Sequence, residues 1–314
     1  MSRIHDALRK AEQDRAADLP PGTGGDDAQP VDSLFQKTLP TAPEPDLDSR
    51  SSAAEPVRGL ERMDGVTLEG WMAECPQSPW KPDPHMVLFV NPGDAQTGVE
   101  EFRTLRTQLT QMREKLPLQT LLVTSALAGE GKTFVSANLA QAFVQQHGRR
   151  VLLIDADLRI SNLHALLGAA RSPGLADFLC GETDAPRIFQ RGVPGNLFFI
   201  PGGKSVSNPV ELIGNGRLKG LLHRVAPLFD WIVIDSPPCV PLSDASLLAD
   251  LTDGVLMVVH SGKTPFDIAQ KASQMFRDRH LLGVVLNQVR PQAPYSAYYY
   301  RPAEEHIAKN GSRG

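Results

Sequence analysis

Val, Ile and Leu gather in short uninterrupted runs along the last two-thirds of the chain, at 120–124, 151–154, 197–200, 231–234, 254–259 and 283–286. Runs without polar alternation predict strands buried on both faces, as in a parallel sheet covered by helices. Between them the period changes. Val99, Phe102, Leu105, Leu109, Met112 and Leu116 recur at three- and four-residue steps and predict one buried stripe on a helix over about 96–115. Helical sequence also follows the first two runs, over 132–146 and 162–167. Alternating strand and helix predict an open, mostly parallel α/β sheet, beginning near Met86 and ending near residue 290. Upstream, Ile4, Leu8 and Ala11 mark a short amphipathic helix over 1–15, read either as a docking element or as a solvated helix. Residues 16–85 turn rich in Pro, Gly, Asp and Ser and predict a disordered tether, with Trp71, Met72 and Trp80 as a small binding motif within it. A tail over 291–314 completes the expected organisation.

Composition narrows the function. The balance of 32 basic and 36 acidic side chains leaves a net charge of -4, so no general field draws nucleic acid. Cys75, Cys180 and Cys239 are widely spaced and lack paired spacing, which argues against a disulfide framework or zinc site and for a reducing cytosol. No apolar run is long enough to span a bilayer, so membrane association is expected only through a partner. All four tyrosines, Tyr295, Tyr298, Tyr299 and Tyr300, fall within six residues of the tail. Globular domains usually spread this residue through core and surface.

Three motifs carry chemistry, each at the carboxyl end of a predicted strand, where open parallel sheets bind ligands. The first, residues 124–133, ends Gly129-Glu130-Gly131-Lys132-Thr133 and opens a helix. It fits the P-loop pattern of P-loop NTPases except that Ala126 replaces the first glycine. The glycines let backbone N–H groups approach phosphate, Lys132 reaches its outer oxygens, and Thr133 is placed to ligate Mg²⁺. The second motif, Asp155-Ala156-Asp157-Leu158-Arg159, puts two carboxylates on one side of an extended segment. Their repulsion suits a cation between them or one retained proton. The third is Asp235-Ser236-Pro237-Pro238, whose aspartate is expected to fix a metal-bound water. Asn287 ends the last strand, either reading an adenine edge or capping the strand.

With these motifs in this order, residues 86–301 resemble the bacterial tyrosine kinases of the capsule and exopolysaccharide type. Glu100, Arg103 and Arg106 match that family's E-x-x-R-x-x-R oligomerisation motif, and the tyrosine tail matches its acceptor cluster. Ala128 stands where the family usually has Pro, and Ile160-Ser161 where Arg-Pro is common. The resemblance implies an ATP- and Mg²⁺-dependent tyrosine autokinase acting in trans on Tyr295, Tyr298, Tyr299 and Tyr300. It implies nucleotide contacts from Ala128, Gly129, Glu130, Gly131, Lys132, Thr133, Phe134 and Asn287, and metal contacts from Thr133, Asp155, Asp157 and Asp235. Lys132, Asp155, Asp157 and Arg159 would carry catalysis. It further implies a ring-like homo-oligomer, with an octamer as one form, a separate membrane-spanning activator of the polysaccharide chain-length type, and other protein substrates. The chain would sit in the cytoplasm against the inner membrane face through that partner. Glu100, Arg103 and Arg106 lie on the side of the helix away from the Phe102, Leu105 and Leu109 stripe, where they can meet a neighbouring subunit or simply a neighbour on the same helix. Two other readings stand beside this one. A nucleotide-gated scaffold of an export complex would need no phosphoryl transfer. A MinD/ParA-type partitioning ATPase would carry a lysine where Leu127 stands. Eukaryotic-type protein kinases are excluded, because neither H-R-D nor D-F-G occurs.

Overall fold

The computed structural model describes residues 70, 75, 78–89, 98–192 and 195–289. The expected helix over 1–15, most of the tether and the tyrosine tail lie outside the described residues.

The apolar runs become a seven-stranded sheet. In chain order the strands are β1 (Thr120–Ser125), β2 (Val151–Asp155), β3 (Gln190–Arg191), β4 (Leu197–Ile200), β5 (Trp231–Asp235), β6 (Gly254–His260) and β7 (Leu281–Asn287). Their spatial order is β3-β4-β2-β5-β1-β6-β7, and every pairing is parallel except that of β3 with β4. The two-residue β3 has no apolar run to announce it; its pairing with Phe198 and Phe199 defines it. Edge strand β7 is only half-buried, whereas β1, β2, β4 and β5 are buried throughout.

Because successive side chains point to opposite faces, each continuous run feeds two cores. On one face Leu121, Val123, Leu153, Trp231 and Val233 pack beneath α1 (Val99–Arg113) and α2 (Lys132–Val144). Residues 135–144 of α2 are all buried, since the helix lies between the sheet and α1. The Phe143 and Trp231 rings stack there at 4.2 Å. The other face joins Leu122, Leu152, Ile154, Ile232 and Ile234 to a second layer of helices. Helix α3 (Leu163–Leu167) packs on the first face, and the second layer holds α4 (Leu175–Leu179), α5 (Pro209–Gly214), α6 (Arg217–Val225), α7 (Asp244–Ala249) and α8 (Phe266–Met275). Helix α1 is shorter than its periodicity suggests. Pro117 disfavours helix at Leu116, which is 47% exposed instead of joining the stripe.

Residues 78–85, placed in the tether by composition, lie against the domain instead. The Ser78 amide donates to the Arg191 carbonyl at 2.8 Å, and that of Asp83 to the Leu166 carbonyl at 3.0 Å. Trp80 meets Phe199 edge-on at 6.0 Å. Gly192 is what admits the indole, since a Cβ there would sit 2.3 Å from it. One large aromatic supplies the apolar area that the surrounding composition lacks. Among the described residues no helix is long and apolar enough to cross a membrane.

Candidate active site

The parallel register brings the acidic motifs together. Asp155 and Asp235 are paired positions at the ends of β2 and β5, and β1 lies beside β5 and delivers the P-loop. Gly131 caps α2 at φ +92°, a conformation costly for any residue with a Cβ. An added Cβ would also lie 2.0 Å from Asn287 Nδ2. From this loop Lys132 Nζ reaches Asp157 Oδ2 at 2.9 Å. Thr133 Oγ1 donates to Asp235 Oδ2 at 2.8 Å, and Ser136 Oγ to Asp235 Oδ1 at 3.0 Å. Asp155 accepts from Ser161 Oγ at 2.8 Å and from the amides of Leu163 and Asp157 at 3.2 Å. Lys132, Thr133, Asp155, Asp157 and Asp235 therefore share one end of the sheet.

Three carboxylates face one ammonium in a site almost closed to water. Burial, then repulsion from Asp235, pushes the Asp155 carboxyl up to about 7. Burial likewise raises Asp235 to about 6, against the pull of Lys132 and Thr133. For Lys132, burial lowers the pKa, but Asp235 and Asp157 outweigh it and hold the ammonium charged. This excess negative charge is what a cation or an arriving proton would relieve. Among the described residues no three His, Cys, Asp or Glu side chains are arranged to hold a metal unaided. Mg²⁺ takes one or two protein oxygens and completes its shell with phosphate and water; Thr133 Oγ1 and Asp235 Oδ2, 2.8 Å apart, are oxygens that could hold it.

Beside these groups opens a cavity of about 450 Å³ lined by Met86, Gly129, Gly131, Lys132, Thr133, Phe134, Asn287 and Gln288. Its volume lies within the range of small-ligand sites. Asn287 Nδ2 donates to the Glu130 carbonyl at 2.9 Å, and Gln288 Nε2 to that of Gly129 at 3.3 Å. The end of β7 thus braces the P-loop as well as lining the cavity.

Several expected contacts take other partners. The Glu130 carboxylate turns inward, accepting from the Leu127 amide at 2.7 Å and from the Thr264 hydroxyl, so only its backbone faces the loop opening. Ala128 is exposed and absent from the cavity lining. Arg159 makes a two-pronged ion pair with buried Asp244, Nε to Oδ2 at 2.8 Å and Nη2 to Oδ1 at 3.0 Å. Glu100 and Arg103 are exposed and paired with each other. Arg106 is not on that outer face. Its Nη1 donates to the Ala142 carbonyl at 3.0 Å, in the last turn of α2, where a cation meets the negative helix end. The four tyrosines lie outside the described residues.

Sequence reasoning missed Ser136, Ser161, Asp244, Thr264 and Gln288. Ser136 was within reach, lying one turn after Lys132 on the same helix. Asp244 and Thr264 give no local signal, because tertiary folding alone brings them to the site.

The family profile of the CobQ/CobB/MinD/ParA nucleotide-binding domain matches residues 121–304. The chain is 32% identical over 203 residues to tyrosine-protein kinase YwqD of Bacillus subtilis, covering 64% of this chain and 85% of the relative. It is 35% identical over 244 residues to the putative tyrosine-protein kinase AmsA of Erwinia amylovora, covering 74% of this chain but only 33% of that longer protein. The solved kinase domain of Escherichia coli tyrosine kinase ETK superposes with a TM-score of 0.61 at 27% identity, covering 73% of this chain and 92% of that one. The P-loop, the paired aspartates of β2 and β5 and these relatives agree: the chain belongs to the bacterial tyrosine-protein kinase family, built on a CobQ/CobB/MinD/ParA nucleotide-binding domain.

Proposed function

We propose that the chain is an ATP-dependent protein-tyrosine autokinase that phosphorylates its own tyrosine cluster in trans. The observation carrying this reading is the meeting of Lys132, Thr133, Asp157 and Asp235 beside a ligand-sized cavity, with Asp155 paired to Asp235 on the neighbouring strand. Mg²⁺, when bound, would offset charge on the phosphates and orient the transferred group. Thr133 and Asp235 would hold it, with Asp157 fixing the Lys132 ammonium against the phosphate oxygens. Tyr has a pKa of about 10, so its proton must leave during transfer. Asp155 is the group for accepting it: a carboxyl raised to about 7 is a stronger base than an exposed one. Arg159, occupied by Asp244, orients the 157–161 loop rather than contacting phosphate.

Chain length permits both cis and trans transfer. Asp155 lies four strands from β7, about 19 Å across the sheet. Tyr295 follows Asn287 by eight residues, a contour of about 27 Å. We assign transfer between subunits because a ring, with Glu100 and Arg103 as its contact candidates, would hold a neighbour's tail at the site. The remaining parts of the proposal are a membrane-spanning activator and a role in exopolysaccharide or capsule export, both supported by the family resemblance.

Intact mass after incubation with Mg-ATP tests the reading. Successive phosphate additions mapping to Tyr295–Tyr300, absent in Lys132→Met, are expected. An unmodified wild-type protein that still binds nucleotide would favour the scaffold reading. Lys132→Met chains mixed with chains whose Tyr295, Tyr298, Tyr299 and Tyr300 are all Phe should gain phosphate on the Lys132→Met tail; a Lys132→Met tail left unmodified in that mixture refutes transfer in trans.

A further inference from the structure

We propose that Met86 is the apolar wall on which the nucleobase packs, making the docked segment 78–89 part of the nucleotide site. The inference rests on the nucleotide-binding reading of the cavity and adds a residue from outside the P-loop motifs.

Eight residues line the cavity, and only Met86 and Phe134 among them are apolar. The Phe134 ring already has a partner, meeting Phe102 of α1 at 5.8 Å with the planes 60° apart. Met86 is left as the uncommitted apolar side chain. Its neighbours Val87 and Leu88 are buried, yet Met86 remains 39% exposed at the cavity. A large apolar group kept half in water beside a ligand-sized opening gains its burial when a flat ring covers it. A thioether suits that contact, because sulfur is polarizable and packs well against aromatic systems.

The side chain is also held in place. Met86 N donates to the Asp83 carbonyl at 3.0 Å, closing a turn around Pro84 and His85. Fully buried Asn138, on α2, clamps the next residues. Its Nδ2 donates to the carbonyls of Met86 at 2.8 Å and Phe134 at 2.9 Å, while its Oδ1 accepts from the Leu88 amide at 2.8 Å. Both donors and the acceptor of this amide are thereby used. One side chain fixes the segment to the residue that follows the Lys132-Thr133 pair. Trp80 anchors the same segment at its far end. Nucleotide occupancy and docking of 78–89 would then favour each other reciprocally.

Calorimetric titration of the full-length protein with MgADP and with magnesium tripolyphosphate separates base contact from phosphate contact. Met86→Ala should weaken MgADP about threefold to tenfold and leave tripolyphosphate within about twofold, with Met86→Leu restoring most of the loss. Partly exposed Met86 makes the Ala variant safe for folding. An unchanged MgADP affinity overturns the proposal while sparing the nucleotide site. Equal weakening of both ligands also overturns it, by showing general damage. If wild-type protein binds neither ligand, the nucleotide reading fails and the inference falls with it.

Discussion

Replacing Asp235 with Asn should stabilise the nucleotide-free protein while abolishing phosphoryl transfer. Asp235 is fully enclosed, and burial raises its carboxyl from 3.8 to about 6. A rise of roughly two pH units corresponds to about 3 kcal/mol spent in keeping the group ionised above neutrality. Asn removes that cost and can still accept from Ser136, but Lys132 loses one of its two strongest anionic neighbours. Asp157, at 2.9 Å, remains to hold it, so a net gain of about 1–3 kcal/mol at pH 8 is expected. The gain has a definite pH window. A carboxyl whose folded pKa lies above its unfolded one binds more protons in the folded state, so wild-type stability declines as pH rises from about 4 to 6 and then levels. The advantage of Asn should therefore be full above pH 7 and shrink toward zero near pH 4. Urea unfolding of both proteins in EDTA, at pH 8, 6 and 4, measures it. A variant less stable than wild type at pH 8, or an advantage constant with pH, would refute the electrostatic account of this site.

Gly131→Ala should lose nucleotide binding and about 1–3 kcal/mol of stability, since φ is +92° and the new Cβ would displace Asn287 from the P-loop; titration with MgADP and urea unfolding check both. Trp231→Ala removes the stacking partner of Phe143 and the ring beneath Arg113 at 4.9 Å, at a cost of about 3–5 kcal/mol in urea unfolding. Iodoacetamide at pH 8 should label Cys180 alone in the native protein. Cys180 is exposed, whereas burial raises both other thiols, Cys239 to about 12; rapid native labelling of Cys239, read by peptide mass mapping, would contradict the packing around it.

The sheet was legible because burial on both faces leaves a strong mark: an apolar run needs no partner to be recognised. The same logic explains the two failures. Strand β3 consists of Gln190 and Arg191, polar residues whose only claim to be a strand is the backbone of Phe198 and Phe199 beside them. Residues 78–85 were hidden by Pro82, Pro84 and charged neighbours, although a single tryptophan and a buried asparagine 58 residues after Trp80 hold this segment in place.

At the site, Lys132, Thr133, Asp155, Asp157 and Asp235 were readable because they are local, strung along one loop or one strand end. Their supports were not, because each joins distant parts of the chain. Ser161 shows the difference most plainly. At sequence level, Ile160-Ser161 is a departure from the family's usual Arg-Pro. In the fold, the Ser161 hydroxyl donates to Asp155, the proposed base, and Gly202 leaves room for it, since a Cβ there would sit 2.5 Å from Ser161 Oγ. Proline has no side-chain donor, so that hydrogen bond to Asp155 is a property of this chain. It favours the ionised carboxylate and works against the burial that raises it. The departure therefore acts on the Asp155 carboxyl, in the direction of a lower pKa, while leaving the P-loop and the Thr133–Asp235 hydrogen bond untouched.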